Sequence, residues 1–138
     1  MAFGAHDGQA ILDALLEAVW LVQAETLQIV GCNRAAAALT GLAPPAMLGQ
    51  PIGQLAATPQ DQALWSADSA GARDGFQSFT QVLHQDGRLI PVEQRVRHLV
   101  WAGQPVWVVT MLDRSEQQHG EQELETLLAE LRATLDSA

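Results

Sequence analysis

Lysine and tyrosine are missing from this 138-residue chain, and cysteine occurs once, at Cys32. A single thiol excludes an internal disulfide and any metal site built from several cysteines; it suits a reducing compartment. The basic residues are seven arginines (34, 73, 88, 95, 97, 114 and 132), scattered among 16 acidic residues. No basic stripe exists to neutralise a phosphate backbone, so direct nucleic-acid binding is not expected. The longest apolar run, Val106 to Leu112 interrupted by Thr110, is far too short for a bilayer, so no membrane partner is expected. Met1 to Asp7 lacks the basic and apolar segments of a signal peptide, and the expected location is cytoplasmic. The histidines (6, 84, 98 and 119) have no helical or alternate-strand pairing that would hold a metal. No Ser/His/Asp arrangement and no Gly-rich phosphate loop is present, which points away from an enzyme. What is present is apolar content of 48%, enough for one core.

Periodicity organises that content. Ile11, Leu12, Leu15 and Leu16 predict an amphipathic helix over residues 8–17, with Asp7 as its N-cap. Ala18–Val22 and Leu27–Val30 read as an antiparallel strand pair. Residues 33–74 read as short helices and turns: Asn33 caps one that ends at Gly41, and Thr58-Pro59-Gln60-Asp61 opens another over 59–72. The apolar face of that last helix is thin, mainly Leu64, Trp65 and Ala67. From Phe76 to Leu112 come long strands. A three-residue turn with a left-handed Gly87 sets Val82 against Ile90, Thr80 against Val92, Ser78 against Gln94 and Phe76 against Val96. This register pairs more apolar residues than a two-residue loop does. A second turn lies near Ala102-Gly103, with its register open. The strand 106–112 is apolar on both faces, as a central strand should be. Ser115 with Gln118 resembles a capping box, and Leu124, Leu128, Leu131 and Leu135 follow at coiled-coil spacing. That seam runs to the last residue, and the natural chain is expected to continue.

Several of these pieces, in this order, resemble the PAS family. Asn33-Arg34-Ala35-Ala36 with Leu39-Thr40-Gly41 is similar to its Asn-x-Ala…Thr-Gly helix, and Leu48-Gly49 to the Leu-Gly that follows. Asp86-Gly87-Arg88 resembles its Asp-Gly hairpin, and Leu112-Asp113-Arg114-Ser115-Glu116 its terminal Asp-Ile-Thr-type junction. The resemblance implies an α+β fold: a five-stranded antiparallel sheet in order 2-1-5-4-3 with helices on one face. Around it the chain divides into an N-terminal helix (1–17), a core (18–114) and a coiled-coil helix (115–138). The light-sensing flavin branch carries a Cys motif after the Leu-Gly; here Gln50-Pro51-Ile52-Gly53-Gln54 stands there, and Cys32 is misplaced for that chemistry. Haem-binding relatives use a His on the long helix, and residues 59–73 have none. Leu64-Trp65 resembles half of a flavin-dinucleotide (FAD) motif whose second Trp is replaced by Gly75-Phe76. No cofactor is the primary expectation, with FAD the alternative.

Function follows as an expectation: a sensory or dimerisation module of a larger bacterial signalling protein, passing a change at a pocket or interface into the C-terminal helix. The pocket candidates are Asn33, Trp65, Phe76, Thr80, Val92, Gln94, Val96 and His98. Asn33 reads more readily as a helix cap, whereas Thr80, Gln94 and His98 are polar groups on an apolar inner face that need partners, such as a small ligand. Asp113 and Ser115 would relay the signal. Ile11, Leu12, Leu15 and the four seam leucines would join a homodimer, with outer-face Phe79, Leu83, Leu89 and Leu99 covered by the N-terminal helix or a second subunit. A small isomerase-like enzyme on a cone-shaped fold, with His98 as its base, is the rival from another class.

Overall fold

The structure, a computed structural model, describes residues 5–66 and 71–136. β5 (Gln104–Asp113), apolar on both faces, lies between β1 (Ala18–Gln23) and β4 (Leu89–Trp101). β2 (Ile29–Cys32) and β3 (Gln77–Leu83) take the rims, giving the antiparallel order β2-β1-β5-β4-β3. This is the expected order. The β3–β4 register is also the expected one, with Val82 opposite Ile90, Thr80 opposite Val92 and Ser78 opposite Gln94. Its turn closes where the His84 N–H donates to the Arg88 carbonyl at 2.8 Å, with Gly87 at φ +95°. The β4–β5 turn is a two-residue one: Ala102 and Gly103 are both left-handed (φ +50° and +78°), so Trp101 pairs with Gln104.

The inner face carries the core. Trp20, Val22, Val92, Val96, Val109 and Met111 pack there against α2 (Arg34–Thr40), α3 (Pro44–Met47), a 3-10 turn (Ile52–Leu55) and α4 (Pro59–Leu64). Asn33 caps α2 by accepting from the Ala36 N–H at 2.9 Å, and Gly41 ends it at φ +75°. Thr58 caps α4. This helix is shorter than the sequence suggests. Trp65 and Ser66 already bond three residues back, and the carbonyls of Leu64 and Ser66 are taken by the Arg73 guanidinium. Positions 67–70 of the expected helix, Ala67 among them, lie outside the described residues.

Two helices lie off the inner face. α1 (Ala5–Ala14) begins before Asp7, which is therefore not its cap, and ends earlier than expected. The Asn33 amide causes that ending: it donates to the Leu12 and Glu17 carbonyls (2.8 and 2.9 Å) and turns the chain into β1. The Trp101 ring lies over Gly8, where a β-carbon would come within 3.2 Å. α5 (Ser115–Asp136) leaves the sheet with no buried residue along its 22 positions. Among the described residues, no helix is long and apolar enough to cross a membrane.

Candidate functional site

Alternation along β4 points Ile90, Val92, Gln94 and Val96 inward, and all four are buried. Val92 and Val96 are core side chains, 1% and 0% exposed. Gln94 is different. It is 2% exposed, yet its Nε2 has no hydrogen-bond partner. Directly opposite on β3, the Ser78 hydroxyl is also buried and unpartnered, and so is the indole N–H of Trp107 on β5. Native interiors rarely leave such groups unpaired, because each buried orphan costs about 1–3 kcal/mol.

Two expected pocket residues are not among the buried unpaired groups. Asn33 is 1% exposed, and both ends of its amide are engaged by backbone: Oδ1 accepts from Val19 and Ala36, and Nδ2 donates to Leu12 and Glu17. Nothing remains for a ligand. His98 follows the inward alternation, but at that point β4 runs past the helical cover, and the residue is exposed. Its ring rests edge-on against Trp107 at 5.4 Å, and its backbone N–H donates to the Asp74 carboxylate. The base required by an isomerase-like enzyme is therefore not enclosed. Phe76 is half-buried against the core, and the Thr80 hydroxyl bonds the Asp61 carboxylate of α4.

Sequence reasoning missed Arg73. It is 3% exposed and lies with its guanidinium over Trp65 and Trp107, at 5.3 and 5.8 Å from the ring centres. Its Nε donates to the Leu64 carbonyl at 2.8 Å and its Nη2 to that of Ser66 at 2.6 Å. Among the described residues no carboxylate pairs with it. Burial pulls its pKa below the usual arginine value. A lone Arg in an irregular connection has no sequence signature; only the fold brings it beneath two tryptophans. Cys32 lies apart, buried on β2, with its thiol pushed up by burial and then by Asp13. No cluster of His, Cys, Asp and Glu among the described residues could hold a metal ion.

The family model of the PAS fold matches residues 6–114. The chain belongs to the PAS family. Solved PAS structures agree with the fold. A PAS domain from a two-component sensor histidine kinase superposes with a TM-score of 0.63 at 17% identity, covering 77% of this chain and 92% of that one. The PAS domain of nitrogen regulation protein NR(II) from Vibrio parahaemolyticus gives 0.59 at 23%, covering 77% and 96%. An RNA-binding light-oxygen-voltage receptor gives 0.67 at 20%, covering 87% of this chain and 36% of its own. No curated protein matches the sequence.

In this PAS domain the end of the sheet is joined to α5 by a short polar clasp. The Asp113 carboxylate accepts from the Ser115 N–H (2.8 Å) and its hydroxyl (2.6 Å). The cap therefore comes from Asp113, and Ser115 is the first helical residue, not the cap of a Ser115/Gln118 box. Arg114 lies between them. Its N–H donates to the Pro91 carbonyl, and its guanidinium stacks on Phe79 at 4.5 Å. A groove of about 390 Å³ at this corner is lined by Thr58, Thr80, Phe79, Val92, Arg114 and Gln118.

Proposed function

We propose that this chain is the sensory and dimerising PAS module of a larger bacterial signalling protein, cytoplasmic and without enzymatic activity of its own. It passes a change beneath α4, or at the subunit interface, into α5. The observation that carries this reading is α5 itself. Leu124, Leu128, Leu131 and Leu135 form one stripe along α5 and are all exposed. An exposed seam of that kind matches a second α5 in a parallel two-helix coil. Phe79, Leu83, Leu89 and Leu99 on the outer face, with Ile11 of α1 and Leu15 just after it, are exposed as well and extend the same interface.

A relay is available through β3. Thr80 faces inward and bonds Asp61 of α4, while its neighbour Phe79 faces outward under Arg114 at the start of α5. A shift of α4 therefore moves an edge strand whose other face touches the output junction. Sedimentation of the intact chain against a version ending at Arg114 tests the proposal. The intact chain should be a dimer at micromolar concentration and the shortened one a monomer. A chain that stays monomeric at high concentration, with no change on shortening, overturns it.

A further inference from the structure

The two rims of the sheet end differently. The outward edge of β2 is closed by the chain itself: the Ile29 N–H donates to the Gln50 carbonyl (2.9 Å), the Gly49 N–H to the Ile29 carbonyl (2.8 Å) and the Ile52 N–H to the Leu27 carbonyl (2.9 Å). The edge of β3 is open. Its even-numbered residues bond β4, as the His84 N–H on the Arg88 carbonyl and the Val96 N–H on the Phe76 carbonyl mark at its two ends. Alternation along an antiparallel pair therefore turns the backbone groups of Gln77, Phe79, Gln81 and Leu83 away from the sheet. Among the described residues, none of these backbone groups has a hydrogen-bond partner. β3 also lacks the devices that keep sheet rims apart: Gln77-Ser78-Phe79-Thr80-Gln81-Val82-Leu83 contains no charge and no proline, and its pairing with β4 has no bulge.

We propose that this edge pairs with β3 of a second copy, antiparallel about a two-fold axis at Gln81, so that the two sheets continue as one. This pairing rests on the reading of the chain as a dimer joined through α5. The strand is complementary to itself in that register. Phe79 stands opposite Leu83 of the second copy, Leu83 opposite Phe79 of the second copy, and the Gln81 amides, each with donor and acceptor, meet on the axis. Slid by two residues either way, Phe79 and Leu83 each face a glutamine instead. The same two copies can also be joined through α5. Arg114, at the start of α5, stacks on Phe79. The rise per residue and the strand spacing put the two Phe79 residues about 14 Å apart, on one side of the joint sheet. Both α5 helices then start on that side, close to the axis along which a parallel coil forms. A short strand pair alone is marginal in water. Once α5 holds two copies together, their edges meet at the effective concentration of a tethered pair. Edge pairing thus tightens the α5 dimer and does not replace it.

Sedimentation of the intact chain beside Gln81→Pro and Gln81→Lys tests this. Proline removes an N–H that β4 does not use, and lysine sets like charges on the axis, so neither breaks a backbone bond within one copy. Each should weaken the dimer about tenfold or more, and the lysine effect should shrink at high salt. A short bis-maleimide should join Gln81→Cys to its counterpart but not Gln77→Cys, which the register sets about 28 Å from its own. Cys32 is buried and common to both variants. Gln81→Lys and Gln81→Cys keep the test open if Gln81→Pro fails to fold. Affinity unchanged in Gln81→Pro and Gln81→Lys, or cross-linking no better at 81 than at 77, overturns the pairing and leaves this rim to a strand of another protein. That result leaves the α5 dimer standing, whereas an intact chain that stays monomeric removes the α5 reading and the edge pairing with it.

Discussion

Two buried amides on this sheet face opposite circumstances. At the β1–β2 end, Asn33 has both ends of its amide bonded to backbone at 2.8–3.0 Å and ties α1, α2 and β1 together. Beneath α4, Gln94 is buried to nearly the same degree, and its NH2 bonds nothing. The chemistry of the two groups is the same, so their different engagement reports different roles. A saturated buried amide is a fastener, because replacing it leaves several backbone groups without partners. An unsaturated one weakens the free protein, because a buried donor without a partner carries its desolvation cost uncompensated. The same contrast recurs between Thr80, which bonds Asp61, and Ser78, two residues away on the same strand, which bonds nothing.

The contrast breaks first, if it breaks, at Asn33. Asn33→Ala should lower unfolding free energy by about 3–4 kcal/mol, since four hydrogen bonds at about 1 kcal/mol each disappear from a closed site. Urea titration measures this directly. A loss below about 1 kcal/mol would mean that the fastening is done elsewhere, and the comparison would lose its structural half. The next effect is at Thr80. Thr80→Val keeps the shape and removes the hydroxyl from Asp61, at a cost of about 1–2 kcal/mol. The same variant should change α5-dependent association if β3 carries the relay; unaltered association alongside reduced stability would confine Thr80 to holding α4.

These expectations show which parts of the molecule a reader of the sequence could reach. The strand order, the α2 cap at Asn33 and the left-handed Gly87 and Gly41 were legible, because each follows from local chemistry: alternation, a capping side chain, a residue without a β-carbon. The β3–β4 register was legible for the same reason, since only one loop length aligns the apolar residues. Part of the candidate site was visible in the same way. Thr80 and Gln94 stand out as polar residues among inward apolar ones. The rest was hidden because it depends on three-dimensional encounter. Arg73 becomes a site residue only when an irregular connection folds it under Trp65 and Trp107, and alternation continues His98 inward without knowing that the helices stop short of it. Periodicity describes a strand; it does not say how far the cover above that strand extends.

The smaller effects sharpen the unpaired side. Gln94→Leu should stabilise the free protein by about 1 kcal/mol, because it removes a buried donor without taking a bond from any partner. Loss of stability instead would mean that an ordered water already satisfies the amide. Ser78→Ala completes the series with a gain of about 0.5 kcal/mol, smaller because a hydroxyl is cheaper to bury than an amide and alanine fills less of the space. The two sites face each other across β3 and β4, so they are close enough to couple. If one bridging group serves both, the double variant should fall short of the sum of the singles, because the first substitution already removes the reason for the second. Additivity within error would mean that Gln94 and Ser78 are unpaired independently of each other.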